Sequence, residues 1–437
     1  MGLDGKTQHG AVEVVRPGRT LRTAVIAVRP AGAPIAPRGA RRYVPGVPVL
    51  RLRVLDSILD VTAADWDRLA AHEPELATPF VRHAFLAALE GTGCASERTG
   101  WQPRHLTLWR GARLIGAAPA YEVQTSDGDF SRDWEWAAAA DRAGIPYYPK
   151  LDVTVLFTPA TGRRFLVAAE EDRPEAVRAL VAGARAVAEE CGLRSIHVLF
   201  PHGDEAGELA AEGLAHRVDF QYHWRNAGYR VPDDFLGRFS SKRRNAIKRE
   251  RAAPARQDIA IRTVRGDELA ADPRGWARAM FDLHRASVDR MAWGMRWVDR
   301  AFYERVTSAM PDALEIVEAR RGGRLVAAAF NVASPVRLYG RYWGCREDHP
   351  FLHFNVCLYH SVDECIRRGL QAFEGGAGGE HKLSRGFEPV LTHSAHLFLD
   401  ARLDAPVRRH VAVEAGERRT ALARWLERAP VLRRDAR

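Results

Sequence analysis

The stretch "ALEIVEARRGGRLVAAAFNVA" (residues 313–333) decides the fold that the sequence predicts. Two apolar runs flank the tetrapeptide "RRGG", and paired glycines at that position favour the tight turn of an antiparallel hairpin. A strand-like segment, "VRLYGRYWG" (336–344), follows, and then a helical one, "FLHFNVCLYHSVDECIRRG" (351–369). Gly369 stands where a helix commonly ends. A hairpin, a strand and a long helix in this order indicate an α+β domain.

The first half of the chain repeats that order. It has a strand at 49–55, two short helical patterns, a hairpin at 104–123 that turns at residues 111–112, and a long helix at 175–192. The sequence therefore predicts an α+β protein of two tandem domains of one fold, with mixed, mostly antiparallel sheets flanked by helices. The predicted boundaries are a basic, mobile leader (1–48), two domains (49–224 and 225–402), and a basic C-terminal helix or tail (403–437).

Composition limits the class of protein. The chain has 437 residues, 46% of them hydrophobic and 27% charged, which is typical of a globular protein. No apolar run approaches the ~18 residues of a membrane span, and no secretory signal is evident. The five cysteines are irregularly spaced and form no CxxC, which predicts reduced thiols in a cytoplasmic protein without a metal site.

The positive charge of the chain does not by itself indicate nucleic-acid binding. The net charge is +10, but the excess lies in residues 1–49 and 405–437, and the segment between them is close to neutral. Charged ends of this kind are more often solvated appendages than docking surfaces.

One internal segment is strongly basic: "RFSSKRRNAIKRER" (238–251). If a serine begins a helix here, Lys242, Arg243 and Arg244 occupy its first turn, where the helix dipole favours anions. A bound phosphate would relieve that conflict. The segment, with Lys248, therefore predicts an anion site for a phosphate-bearing substrate, while a solvated basic helix remains the alternative.

Two other segments carry candidate binding residues. In "LYGRYWG" (338–344) the alternation of a strand places Arg341 and Trp343 on one face, which suggests either a ligand wall or a core strand. On the helix at 351–369, His353 and His360 stand about 10 Å apart along the axis, too far for both to ligate one metal ion. Cys345 could be a reactive thiol, although a buried inert one is the simpler interpretation.

The last segment, "FEGGAGGEHKLSRGF" (373–387), combines five glycines with Glu380, Lys382 and Arg385. The chain contains only five lysines among its 65 basic residues, so a lysine just after so pliable a turn is unusual. An ammonium is a compact point charge, whereas guanidinium is a planar fork. A glycine-rich hairpin with solvated charges is the alternative to a functional site.

Taken together, these segments resemble the FemAB-like peptidoglycan biosynthesis/recognition family of the GNAT N-acyltransferase superfamily. The segments that carry the resemblance are "WQPRHLTL", "YYPKL", "FTPATGRR", "IHVLFP", "QYHWRNAGY", "DDFLGRFSSKRRNAIKRER", "LYGRYWGCREDHPFLHF" and "GLQAFEGGAGGEHKLSRGF". The resemblance implies a pair of GNAT-like domains that transfer an acyl or aminoacyl group to an amine. It implies acyl-CoA or aminoacyl-tRNA as donor substrate, no tightly bound cofactor, and a cell-wall precursor as a possible acceptor.

The resemblance also suggests roles for residues. Lys382 would stabilise the oxyanion of the tetrahedral intermediate or clamp a donor phosphate. Glu380, Glu374 or Asp289 would take the proton of the attacking amine, unless the substrate does so itself. The predicted substrate-binding residues are Lys242, Arg243, Arg244, Lys248, Arg341, Trp343, Arg385 and Lys150.

Three departures from the family pattern bear on the function. The segment "VQTSDGDFSRDWEW" (123–136), which would shape the acceptor cleft, differs from the basic, Ser/Gly-rich segment that family members usually have there. Asn355 replaces a glutamate, and no phosphate loop of the usual CoA type precedes the helix at 351. A rival hypothesis follows, in which the scaffold recognises a peptidoglycan precursor or RNA without catalysis.

Overall fold

The computed structural model describes residues 13–15, 25–28, 50–291 and 294–428. The strands are β1 (Glu13–Val15), β2 (Val25–Val28), β3 (Leu50–Leu55), β4 (Trp101–Pro103), β5 (His105–Arg110), β6 (Arg113–Ala118), β7 (Ala120–Val123), β8 (Lys150–Val153), β9 (Leu166–Val167), β10 (Ser195–Leu199), β11 (Ala215–Arg225), β12 (Ile259–Arg265), β13 (Leu314–Arg321), β14 (Arg324–Ala333), β15 (Arg337–Cys345), β16 (Ala372–Glu374) and β17 (Glu388–Phe398).

The α-helices are α1 (Ala63–Arg68), α2 (His83–Gly91), α3 (Trp134–Arg142), α4 (Arg173–Glu190), α5 (Gly203–Ala211), α6 (Pro232–Gly237), α7 (Ser241–Arg251), α8 (Asp267–Ala271), α9 (Pro273–Val288), α10 (Arg300–Ala309), α11 (Leu352–Phe354), α12 (His360–Arg368) and α13 (Ala401–Arg428). A π-helical turn, Asn355–Tyr359, joins α11 to α12 in one continuous helix. A 3₁₀-helix, Glu380–Arg385, follows the glycine-rich segment.

Local sequence explains where the main elements begin and end. The Asp172 side chain accepts a hydrogen bond from the Glu175 amide at 2.7 Å and so caps the start of α4. Helix α12 ends at Gly369, whose φ of 67° is the left-handed conformation expected of a glycine C-cap. The hairpins β5–β6 and β13–β14 turn at the predicted glycines.

The strands form two sheets. The smaller has the order β1-β2-β3-β5-β6-β9, and the larger has eleven strands in the order β12-β13-β14-β15-β16-β11-β17-β10-β8-β7-β4. Among the described strands only the pairs β8–β10 and β15–β16 are parallel. The predicted α+β class with mostly antiparallel sheets is therefore confirmed.

The predicted leader, 1–48, contains two described strands, and its boundary stays a prediction. Strands β1 and β2 pair with each other, and β2 pairs with β3, so these pieces of residues 1–48 extend the smaller sheet. The reason is the short apolar run around Val25–Val28, which has the β-branched composition of a strand. The rest of the predicted leader, and residues 429–437 of the predicted tail, lie outside the described residues.

The two halves of the chain share one sheet and one core. Strand β17, from the second half, lies between β10 and β11 of the first and pairs with both. In the core, the Phe80 ring meets the Tyr339 ring at 5.3 Å, and Phe85 meets Phe302 at 5.7 Å. The predicted boundary at 224/225 falls at the end of β11, and it remains a prediction.

Candidate active site

A cleft opens where two parallel strands separate. Strands β15 and β16 are paired only through three residues each, ending at Tyr339 opposite Glu374. Beyond that point β15 continues to Cys345 with β14 on one side only, while the chain after β16 turns away as a glycine-rich loop. Among the described strands, none pairs with this edge of β15 from residue 340 onward, and the cleft beside it has a volume of about 450 Å³.

The glycine-rich loop (375–379) forms one side of the cleft, and Lys382 holds it in place. The Lys382 Nζ donates hydrogen bonds to the carbonyl oxygens of Gly376 and Gly378, at 2.8 and 2.9 Å. Gly376 has a φ of +80°, and a Cβ at Gly375 would lie 3.2 Å from the Phe387 ring. Glycine is therefore required both for the turn and for the close packing.

Lys382 is buried, with 5% of its surface exposed, and burial lowers the pKa of its ammonium to about 8. The lysine does not line the cleft, but the loop residues Gly375 and Gly376 that surround its side chain do. The glycine-rich loop therefore separates the Lys382 ammonium from the cleft. The predicted role in stabilising an oxyanion stays a proposal, and a second role, fixing the loop, is visible directly.

Arg341 and Trp343, which the sequence predicts on a common strand face, both line the cleft. The Arg341 guanidinium donates to the carbonyl oxygen of Phe157, a residue of the first half. Its Nε is buried without a partner among the described residues, and burial lowers the pKa of the group. A buried donor without a partner is costly, so a ligand that accepts a hydrogen bond from it would be favoured.

Two histidines complete the polar part of the cleft. His284, on α9, has its Nδ1 3.0 Å from the Tyr303 hydroxyl and its ring 4.9 Å from that of Tyr342. His353, on α11, packs edge-on against Trp343 at 5.2 Å. Burial lowers the pKa of each imidazole to about 4, so both are neutral near pH 7.

Glu374, at the end of β16, lies beneath the cleft and is only 2% exposed. Its Oε1 accepts from Arg337 at 3.4 Å and its Oε2 accepts from the Thr161 amide at 3.3 Å. Burial raises the pKa of the carboxyl to about 7, and Arg337 opposes that rise. Of the three carboxyl groups proposed as bases, Glu374 alone is buried beside the cleft-lining residues Gly340 and Arg341.

The other two proposed bases lie elsewhere. Glu380 and Asp289 are both exposed, and neither lines the cleft. Asp289 follows the cleft residue Val288 directly, but its carboxylate lies 3.6 Å from Arg296. A proton transfer by Glu380 or Asp289 would therefore require a rearrangement of the segments that carry them.

The basic helix α7 packs beside the segment that contains Lys382. Arg243 donates to the carbonyl oxygen of Ser384 and, at 3.1 Å, to Glu250. Arg385 donates to the same Glu250 at 2.9 Å, and its guanidinium lies 3.4 Å above the Phe354 ring. Helix α7 therefore lies beside the segment that carries Lys382, although no residue of α7 lines the cleft.

These contacts divide the predicted phosphate-binding residues into two groups. Arg243 and Arg385 are engaged with Glu250 and backbone carbonyls, which differs from the phosphate-binding role predicted for them. Lys242 and Lys248 are exposed on α7, and Arg244 donates a hydrogen bond to the Ser241 hydroxyl at 3.4 Å. Helical periodicity alone could not distinguish the two groups. The distinction depends on Ser384 and Arg385, which lie far from α7 in sequence and meet Arg243 and Glu250 only in the folded chain.

Lys150 lies in the first half, away from the cleft lining. It is fully buried, and its ammonium lies 2.7 Å from Asp129, 2.8 Å from Asp133 and 3.6 Å from Asp152. Lys150 is therefore surrounded by three buried carboxyl groups, and its predicted role in substrate binding stays a prediction. Within the described residues, no group of three or more His, Cys, Asp or Glu side chains is arranged to hold a metal ion.

Sequence reasoning missed several residues of the cleft. His284, Tyr342 and Trp297 line it, as do Phe130 and Phe157 of the first half. Phe130 does belong to the segment 123–136 that the family resemblance placed beside the acceptor. The others give no local signal, because an aromatic residue on a strand or helix is usually a core residue.

Comparison with known proteins identifies the family. A family model described as FemAB-like, peptidoglycan biosynthesis/recognition, matches residues 57–433, most of the chain. The protein therefore belongs to the FemAB-like family, and the resemblance to that family read from its sequence is confirmed. No curated protein matches the chain.

Several solved structures resemble it at low identity. One is FemX, at 11% identity and a TM-score of 0.47, over 80% of this chain and 98% of that one. Another is the C-terminal domain of a putative lysylphosphatidylglycerol synthetase from Agrobacterium fabrum, at 11% identity and a TM-score of 0.47, over 79% of this chain and 95% of that one. A tandem GNAT protein from the clavulanic acid biosynthesis pathway has 16% identity and a TM-score of 0.41, over 80% and 98%. Values this low transfer neither substrate nor activity.

No helix within the described residues has both the length and the apolar character that crossing a bilayer requires. All five cysteines are unpaired, and Cys345 is buried next to Ser287 and Arg290.

Proposed function

We propose that the protein is an N-acyltransferase that moves an acyl or aminoacyl group from a phosphate-bearing donor to an amine. The observation that carries the proposal is the divergence of β15 from β16, which leaves a free strand edge beside a cleft of about 450 Å³. A volume of this size is typical of small-molecule sites. Both halves of the chain contribute to its walls, through Phe157 on one side and Trp343 on the other.

The donor would bind as an extended chain along the free edge of β15. Unpaired backbone amides and carbonyls on such an edge pair with an extended ligand, as an added strand would. The donor phosphates would lie toward α7, where Lys242 and Lys248 are exposed beside the segment that carries Lys382. Acyl-CoA and aminoacyl-tRNA both have this combination of an activated acyl group and phosphates.

The reaction needs a base and a stabilised oxyanion. The acceptor amine would lose its proton to Glu374, whose raised pKa of about 7 suits a base near neutral pH, and attack the ester or thioester carbonyl. A new C–N bond forms, the C–O or C–S bond to the donor breaks, and the leaving oxygen or sulfur takes up a proton. The oxyanion that appears between these steps would be stabilised by Arg341 in the cleft and by the Lys382 charge behind the loop.

Turnover can be measured with both donor classes. The full chain is incubated with isotopically labelled acyl-CoA or with charged tRNA, each with a cell-wall precursor that carries a free amine, and the acylated acceptor is detected by mass spectrometry. We expect transfer from one donor class. Binding of the precursor without any transfer would instead support the recognition protein of the rival hypothesis.

Arg341→Ala tests the assignment of the cleft. We expect turnover to fall by about a hundredfold, since that is the usual effect of removing one donor to an oxyanion. Arg346→Ala is the matched control, because Arg346 is exposed nearby on the same stretch of chain and lies outside the cleft. Equal activity of the two variants would contradict the site.

Salt dependence separates the two donors. A tRNA that contacts several phosphates through α7 should lose affinity steeply as salt rises, whereas acyl-CoA should lose much less. The measurement is donor affinity at two salt concentrations, with Lys242→Glu to show that α7 carries the effect.

A further inference from the structure

The cleft contains two chemically distinct parts. The polar part lies against the sheet, where His284, Tyr342 and Arg341 approach one another. The apolar part is built from Phe130 and Phe157 of the first half and from the segment that follows α9. Trp297 joins them, because it stacks on Phe157 at 5.9 Å with an interplanar angle of 7° and meets the Phe130 edge at 5.7 Å.

The apolar part reaches the surface through two methionines. Met291 and Met295 line the cleft and are 61% and 48% exposed, among the most exposed large apolar side chains of the described residues. Methionine is unbranched and flexible, so it adapts to ligands of different shape. With the aromatic wall behind them they extend the apolar surface of the cleft outward, and a contiguous exposed apolar surface is a mark of a ligand-binding groove.

The charge of the lining is also one-sided. Among the lining residues that the structure describes, Arg341 carries the single formal charge, and none is an aspartate or glutamate. The two histidines are neutral near pH 7 because they are buried. Glu374 lies beneath the sheet side of the cleft, beside Gly340 and Arg341, so a cationic side chain placed against Phe130, Phe157 and Trp297 would have no carboxylate among the described lining residues. Burying an unpaired charge is costly.

We propose that the group transferred has an apolar, uncharged body, either an aliphatic acyl chain or an aminoacyl group with an apolar side chain. This inference rests on the proposed function and names its substrate class. The apolar body would lie against Phe130, Phe157 and Trp297, with its far end between Met291 and Met295. The reacting carbonyl would lie at the polar part, near Arg341.

The test uses two donor series with the full chain. In the acyl-CoA series, acetyl, butyryl, hexanoyl and octanoyl thioesters are compared, and affinity should rise about fourfold for each methylene that becomes buried. In the tRNA series, leucyl-tRNA should bind at least about tenfold better than glycyl-tRNA or lysyl-tRNA. If affinity rises with the apolar size of the group in only one of the two series, that series identifies the donor class, acyl-CoA or aminoacyl-tRNA.

Variants at Met295 check the location. Met295→Glu should weaken the preference for leucyl over lysyl, or octanoyl over acetyl, by about tenfold, while Met295→Gln keeps most of it. Leu59→Glu is a control at an exposed apolar residue that does not line the cleft.

Equal affinities along both series, or a preference for lysyl, would overturn this inference while leaving the transferase proposal intact. Failure of every donor to bind or react would overturn both.

Discussion

At the scale of single residues, the structure explains why a lysine follows the glycine-rich turn in a chain that otherwise uses arginine. The loop at 375–379 directs the carbonyls of Gly376 and Gly378 toward one point, where Lys382 Nζ donates to both. A compact ammonium fits between two carbonyls of a tight loop, whereas the planar guanidinium of arginine is larger and has its donors in a fixed plane.

Lys382→Met tests this residue through the pH dependence of stability. The pKa of Lys382 is about 8 in the folded protein and 10.5 in its reference state. Between these values the unfolded chain binds the additional proton, so the unfolding free energy of the wild type rises with pH. Relative to the variant, the wild type should gain roughly 2–3 kcal/mol from pH 7 to pH 10.

The measurement is urea unfolding of both proteins at the two pH values. Lys242→Met, which removes an exposed lysine, should change the pH dependence very little. If the difference in unfolding free energy between the wild type and Lys382→Met were the same at pH 7 and pH 10, burial would not destabilise the ammonium. Donor turnover by Lys382→Met should also fall, because the loop loses the bonds that hold it.

At the scale of elements, Glu250 joins three segments that are distant in sequence. It accepts from Arg243 on its own helix α7, from Arg385 of the 3₁₀-helix, and from the Tyr359 hydroxyl at 2.5 Å. The Glu250 backbone carbonyl also accepts from Asn355 at 2.9 Å. Asn355, which stands where the family commonly has glutamate, therefore has a structural partner in Glu250. The contacts of the Glu250 carboxylate fix helix α7 beside the segment that follows the glycine-rich loop.

Glu250→Gln should destabilise the protein by about 3–5 kcal/mol, because it leaves Arg243 and Arg385 partly buried without a carboxylate. Chemical denaturation measures the loss. Glu268→Gln is the control: Glu268 pairs with Arg262 at the surface, and such a pair contributes about 0–1 kcal/mol. Similar losses for the two variants would mean that the Glu250 network does not hold these elements together.

The contact between α9 and β15 depends on one glycine. A Cβ at Gly344 would lie 2.2 Å from the Leu283 carbonyl carbon and 2.3 Å from the His284 nitrogen, both backbone atoms. Gly344→Ala should therefore displace α9, with its cleft residue His284, and lower the unfolding free energy by about 1–3 kcal/mol or more.

Gly416→Ala provides the comparison. Gly416 lies within α13, and outside its own helix backbone no described atom approaches the position of its Cβ within 4 Å, so alanine there should stabilise the helix by roughly 0.5–1 kcal/mol. Thermal unfolding with a donor-binding assay would check both variants, and unchanged stability of Gly344→Ala would contradict the close packing of α9.

At the scale of the whole molecule, the two halves are not separate bodies, because β17 of the second half completes the sheet of the first. Without β17, strands β10 and β11 would each lose a neighbour and expose an unpaired edge. The cleft, too, requires both halves, since Phe157 and Trp297 stack across it.

Separate expression of residues 50–230 and 231–428 should therefore yield chains that do not unfold cooperatively, while co-expression should restore a folded complex. Circular dichroism during heating distinguishes the cases. The junction at Arg230 and Val231 is exposed, so the cut itself should be tolerated. A cooperative transition for the first half alone would show that β17 is dispensable.

Much of this protein could be predicted from the sequence, and the limits have a physical cause. Periodicity and turn chemistry act between near neighbours, so the hairpins, the helix end at Gly369, the strand face with Arg341 and Trp343, and the family followed from the chain alone. Strand order, the opening of the cleft beside β15, and the internal partners of Arg385 and Lys150 were decided only by the tertiary structure. They depend on contacts between residues far apart in sequence, for which local patterns carry no information.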